Sequence, residues 1–158
     1  METFKQKLPD EALGYQVNFI QDNESKSTSK GVLRGLHYQL PPYTQNKLVR
    51  VISGEVLDVA VDIRRNSPTF GKYVSVVLSD ENKKQLFIPG GFAHGFIVLS
   101  EGATFAYKVD AYYSAEHEEG IAYNDKEVSI DWRFLEKEII LSKADQNYSS
   151  LSDNIKLF

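Results

Sequence analysis

Four short stretches carry side chains able to move a proton or hold the charge that its removal creates. Gly31-Val32-Leu33-Arg34-Gly35-Leu36-His37-Tyr38-Gln39 sets an arginine and a histidine beside a glycine. Lys47 opens the run Lys47-Leu48-Val49-Arg50-Val51, His94 lies in Ile88-Pro89-Gly90-Gly91-Phe92-Ala93-His94-Gly95-Phe96, and Tyr107 in Phe105-Ala106-Tyr107-Lys108-Val109. Histidine is a suitable base near neutral pH. Taking a proton from the carbon beside a ketone develops negative charge on the ketone oxygen, which a fixed lysine ammonium stabilises far better than bulk water does. A tyrosine can return a proton from the other side. Each residue also has a plain reading: a lone strand histidine is usually a satisfied core residue, and a tyrosine in an aromatic strand usually packs.

These residues must be positioned by strands. Lys47–Ile52 and Val56–Ile63 are rich in valine and isoleucine and flank Ser53-Gly54, a hairpin signal. Further strands are expected at Lys72–Leu78, Gln85–Ile88, Gly95–Leu99 and Phe105–Val109, with turns at Ser79-Asp80-Glu81-Asn82 and Glu101-Gly102. Only Thr3–Leu13 and a short stretch after Ser142 read as helical. Many closely spaced strands indicate a sandwich or barrel, with a jelly roll among the options. Strict alternation would send Arg34 and His37 to opposite faces unless Gly35 hosts a bulge.

Composition narrows the function classes. A chain of 158 residues can bury a core as one domain without staples. The absence of cysteine removes disulfides, thiolate metal sites and cysteine nucleophiles, and fits a reducing cytoplasm. No apolar run approaches the roughly 20 residues that span a bilayer, and Met1-Glu2-Thr3-Phe4-Lys5 does not resemble a secretory signal. A net charge of -4 with interleaved signs lacks the basic footprint of a nucleic-acid binder. The charges of Glu116-His117-Glu118-Glu119 and of Lys83-Lys84 read as solvated surface.

Pro89, Gly91 and His94 resemble the second cupin motif, Pro-x-Gly-x-x-His. The first cupin motif supplies a His-x-His pair and a glutamate ahead of a glycine. Here Gln39 stands two residues after His37, and Lys47 stands where the glutamate would precede Gly54. An ammonium has no acceptor for a metal ion, so no metal is expected.

The combination of motifs resembles the dTDP-4-dehydrorhamnose 3,5-epimerase family, from Gly31 through Gln39 and Lys47–Val51 to Gly54–Arg64 and Ser67–Lys72. The match continues through Gly91–Phe96, Tyr107-Lys108, Tyr112-Tyr113, Asn124-Asp125 and Ile130-Asp131-Trp132. The resemblance implies a cupin-type jelly-roll β-barrel that works without a cofactor on a dTDP-linked 4-keto-6-deoxy sugar. It makes His37 the base, Tyr107 the opposite-face acid and Asp145 the partner that orients His37. Lys47 and His94 would surround the sugar oxygens and the enolate, and Arg34 would hold the diphosphate, where a guanidinium suits paired oxygens. Gln21, Asn23 and Tyr113 match nucleotide-sugar contacts, with Glu2 a further one. Asp58 matches the pattern too, in either an active-site or a structural role.

Family members usually begin with a further stretch containing an Asp-x-Arg-Gly-type sequence and an early strand, and Glu2-Thr3-Phe4 resembles the end of that region. The expectation is one cupin epimerase domain over residues 1–158 without that first strand, forming a homodimer weaker than usual. Tyr123 stands where tryptophan is usual, and Arg133 where proline commonly follows Trp132. The rival readings are a single-position epimerase and a non-catalytic cupin that binds a nucleotide sugar.

Overall fold

The computed structural model describes residues 1–154 and 156–158. Among the described residues, helix α1 (Lys7–Leu13) is followed by nine strands: β1 (Gln21–Ser27), β2 (Leu33–Gln39), β3 (Lys47–Ser53), β4 (Glu55–Asp62), β5 (Tyr73–Ser79), β6 (Gln85–Ile88), β7 (Phe92–Val98), β8 (Ala103–Val109) and β9 (Glu118–Gly120). They form two antiparallel sheets, one ordered β1-β8-β3-β6 and the other β5-β4-β7-β2-β9. The expected mainly-β jelly-roll architecture is what forms. Among the described residues, no helix is long and apolar enough to cross a membrane.

Side-chain alternation explains both the layers and the placement of the site. Along β4, Leu57, Val59 and Val61 point away from the four-stranded sheet into one apolar cluster with Leu33, Leu36, Ile97 and Trp132. Val56 and Ala60 point the other way, into the inter-sheet cluster with Val49, Phe96 and Phe105. Buried on both faces, β4 reads as a continuous apolar run, interrupted by Asp58. Phe96 and Phe105 join the two sheets, their rings stacked at 4.2 Å between centroids.

Three local expectations change. Ser53-Gly54 does turn the chain, but β3 pairs with β6 and β8 while β4 pairs with β5 and β7. The turn therefore carries the chain from one sheet to the other and makes no hairpin. The strand expected at Gly95–Leu99 begins at Phe92, which brings His94 into β7. β1, unforeseen, is polar because Gln21, Asn23 and Ser25 face a polar cavity while Asp22 and Glu24 face outward. Backbone pairing with β8 along its whole length, from Gln21↔Val109 to Ser27↔Ala103, holds it in place.

The chain after β9 straps the open face of the five-stranded sheet. Ile140 forms a parallel bridge with Val32, and Ala122 N–H donates to Ser149 O. Asp125 anchors this strap: it is buried and accepts from the N–H groups of Glu127, Val128 and Leu151, each within 2.8 Å. Asp125→Ala leaves those three donors without their acceptor and is expected to cost on the order of 3 kcal/mol. Thermal or urea unfolding of the two proteins measures it; a loss below about 0.5 kcal/mol, the range of ordinary surface substitutions, would contradict the anchoring role.

Candidate active site

A cavity of about 270 Å³ opens between the sheets, lined among others by Arg34, His37, Lys47, His94, Tyr107 and Glu118. Alternation sends Lys47 inward on β3 with Val49 and Val51, and Tyr107 inward on β8 with Phe105 and Val109. The opposite wall belongs to β2 and β7. There the regular pairing Leu33↔Ile97 and Arg34↔Phe96 breaks and resumes at His37↔His94. This irregularity places Arg34 and His37, three residues apart, on one face, while Leu33, Leu36 and Tyr38 stay in the core behind.

Gly35 makes the irregularity feasible. Its φ of 119° suits glycine, and a Cβ there would lie 2.6 Å from Gly95 Cα and 2.7 Å from His94 O. The Gly35–Leu36 peptide bond is cis.

His37 is held by the strap. Its Nε2–H donates to Asp145 Oδ1 at 2.6 Å, since a carboxylate can only accept, and this leaves Nδ1 as the ring nitrogen with a free lone pair. Asp145 is buried and also accepts from Ser142 Oγ–H at 2.6 Å and from Gly35 N–H at 3.4 Å. Burial pushes its carboxyl up, but the hydrogen bonds from His37 and Ser142 outweigh this and hold it below the usual carboxylate range. The Tyr148 ring packs edge-on to His37, 5.7 Å between centroids, and lies over Gly120, where a Cβ would come within 2.6 Å of the ring.

Lys47 is the unusual cation. Burial in the cavity lowers its pKa to about 8, against the opposing pull of Asp58 and Glu118. His94 is lowered as well, chiefly by burial, and donates Nε2–H to the fully buried Asp58 at 2.9 Å. Burial raises Tyr107, with Glu118 adding to the effect, so its phenol keeps its proton at neutral pH.

The polar mouth is built from β1 and the segment after β8. Gln21 donates to Asn23 Oδ1 at 2.9 Å, Tyr113 O–H donates to Glu118 Oε2 at 2.8 Å, and Arg34 Nε–H donates to Ser27 Oγ at 3.3 Å. Gln39, in the position of a metal-binding histidine, instead clasps backbone: it donates to Tyr43 O and Tyr112 O and accepts from Ser114 N–H. With an amide committed to backbone and an ammonium in the glutamate position, the donor set does not suit a metal ion.

Of the residues singled out from the sequence, His37, Tyr107, Lys47, Arg34, Gln21, Asn23, His94 and Tyr113 line this one cavity, and Asp145 supports it from behind. Glu2 does not join them: it lies with Thr3, Phe4 and Phe87 in a separate surface depression. Glu118 is exposed, as its charge run implies, and it also borders the cavity. β9 pairs with β2 through His37↔Gly120 and Gln39↔Glu118, which turns the Glu118 carboxylate toward the cavity.

Comparison with known proteins gives a consistent picture. The family model described as dTDP-4-dehydrorhamnose 3,5-epimerase matches residues 1–153. The enzyme of that name from Shigella flexneri is 64% identical over 132 residues, covering 84% of this chain and 72% of its own. The Escherichia coli K12 enzyme of that name is 53% identical over 156 residues, covering 99% of this chain and 83% of its own. The crystal structure of Legionella pneumophila dTDP-6-deoxy-D-glucose-3,5-epimerase in complex with dTDP-4-keto-L-rhamnose superposes with a TM-score of 0.91. It is 54% identical and covers 96% of this chain and 79% of that one.

Gly35→Ala places a methyl group against Gly95 and forces a non-glycine residue to positive φ. It is expected to cost on the order of 3 kcal/mol and to displace Arg34 and His37 together. Calorimetry reads the stability. Chemical-shift mapping reads the displacement, and an unperturbed His37 ring in this variant would contradict the role given to Gly35.

Proposed function

The chain belongs to the dTDP-4-dehydrorhamnose 3,5-epimerase family, and from that premise we propose that it inverts C3 and C5 of dTDP-4-dehydro-6-deoxyglucose, giving dTDP-4-dehydrorhamnose. The observation that carries the chemistry is the position of His37 and Tyr107 on facing walls of one cavity, His37 on β2 of one sheet and Tyr107 on β8 of the other. A sugar ring between the walls presents one face to an imidazole and the opposite face to a phenol, which is the arrangement inversion needs.

The ketone at C4 acidifies the C–H bonds on both sides of it. His37 takes the proton from C3 or C5 through Nδ1, and the electron pair of that bond moves onto the ketone oxygen as an enolate. Asp145 stabilises the imidazolium that results. The Lys47 ammonium, fixed on the cavity wall, faces the enolate oxygen, where a preorganised charge acts strongly. Tyr107 then gives its phenolic proton to the opposite face of the carbon, restoring the ketone, and exchange with solvent resets both residues. No net oxidation occurs, so the reaction needs no redox cofactor. Arg34, Gln21, Asn23 and Tyr113 at the cavity mouth serve the nucleotide diphosphate. The same reading carries a homodimer and a cytoplasmic location.

The test is the sugar's NMR spectrum after incubation in heavy water. The wild type should place one deuterium at each of two inverted centres; a single inverted centre would favour the single-position reading. His37→Asn, folded, should lose exchange and product by on the order of a hundredfold or more. Tyr107→Phe should slow inversion more than first exchange. Near-normal exchange in His37→Asn removes His37 as the base, and normal turnover in Tyr107→Phe removes Tyr107 as the acid.

Lys47 also sets a pH limit. Its ammonium is present below a pKa of about 8 and lost above it, so kcat/KM should fall as pH rises through that value. A profile flat to about pH 10, where an ordinary lysine titrates, contradicts the assignment.

A further inference from the structure

Asp58 is a fully buried carboxylate in the middle of a strand whose other interior positions, from Val56 to Val61, are apolar. Nothing in packing calls for it: its neighbours on the same face, Val56 and Ala60, belong to the inter-sheet apolar cluster. Ala60 stands opposite His94 in the β4–β7 pairing, so Asp58, two residues along, is the diagonal neighbour of His94 on the cavity side. Oδ2 accepts the His94 Nε2–H at 2.9 Å, while Oδ1 is buried without a hydrogen-bond partner among the described residues. A buried carboxylate with an oxygen left over is costly unless a nearby cation compensates it.

We propose that Asp58 is a positioning residue that divides the work between His94 and Lys47. By taking the His94 Nε2–H it leaves Nδ1 as an acceptor for a sugar hydroxyl, and its carboxylate is the buried counter-charge that keeps the Lys47 ammonium as donor to the ketone oxygen. The inference rests on the enolate chemistry set out above and refines it. A neutral His94 whose single N–H is committed to Asp58 has no proton to offer the enolate. Donation to that oxygen falls to Lys47, and His94 becomes a reader of the neighbouring hydroxyl.

The ionisable groups around Lys47 are Asp58 on β4, His94 on β7, Arg34, His37 and Tyr38 on β2, Tyr107 on β8, Tyr113 after β8 and Glu118 on β9. Of the carboxylates among them, Glu118 is exposed at the mouth, where water screens it, and Asp58 is enclosed. Removing the Asp58 charge should therefore be felt by Lys47 more than removing that of Glu118.

The test uses the ligand-free protein with nitrogen-15-labelled histidine and lysine side chains, followed by NMR across neutral and alkaline pH. In the wild type, His94 should be neutral and protonated at Nε2. In Asp58→Asn, which keeps the shape and removes the charge, the Lys47 midpoint should fall by about one unit or more, and the alkaline limb of kcat/KM should move down with it. Glu118→Gln should move the Lys47 midpoint less. A wild-type His94 protonated at Nδ1, or charged at neutral pH, overturns the proposal whether or not the variant folds. So does an unchanged Lys47 midpoint in folded Asp58→Asn. The spectra require no turnover, so a wild type that failed to exchange deuterium would refute the epimerase reading and leave this test intact.

Discussion

The hydrogen bond between His37 and Asp145 joins positions 108 residues apart, and the geometry of the cavity depends on it. One partner sits on a strand beside a backbone irregularity and the other on a strap laid over the sheet. The bond exists only if β2 has shifted register at Gly35 and the strap has docked through Asp125 and the Ile140 bridge. Asp145 also accepts from the Gly35 N–H, so the same carboxylate that orients the imidazole touches the backbone that redirects it. Ring tautomer, strand register and strap docking are thus coupled, and none of the three sets the His37 lone pair alone.

The second constraint is charge in a confined space. Two His–carboxylate pairs, His37 with Asp145 and His94 with Asp58, flank one lysine. The pairs differ in exposure: the His37 side chain is 32% exposed and that of His94 9%. A base that must meet substrate and exchange protons with solvent suits the first setting, and a fixed polar reader suits the second. Lys47 between them is held near the edge of deprotonation by burial and kept charged by its carboxylates. Such a cation is already in place where the enolate charge develops.

Much of this was legible in the sequence, for identifiable reasons. Lys47 and Tyr107 lie on apolar runs that read as strands, and the Pro-x-Gly-x-x-His spacing marks His94, although the strand expected there starts one residue after it. Arg34 and His37 could not be assigned to one face, because the register shift depends on how close β7 approaches Gly35, which no local pattern encodes. β1 has no strand signature in the sequence because both of its faces are polar, and β9 with Glu118 has none because three residues inside a charge run show no periodicity. Ser53-Gly54 was rightly a turn, but which sheet receives the next strand is a tertiary matter. The pairing of Asp145 with His37 came from family resemblance alone, since sequence distance says nothing about where a strap lands.

The central claim is that Asp145 makes His37 a base by fixing its tautomer and stabilising its charged form. Asp145→Asn tests this most directly, read as the rate of deuterium entry at C3 and C5 of the keto sugar, with circular dichroism and melting recorded on the same sample. The amide keeps the shape and the contact but not the charge. The account predicts a folded protein whose exchange rate falls by on the order of a hundredfold or more, at both carbons alike. Exchange within about threefold of wild type in a folded Asp145→Asn protein, well inside what a lost charge–imidazole contact costs, would contradict it.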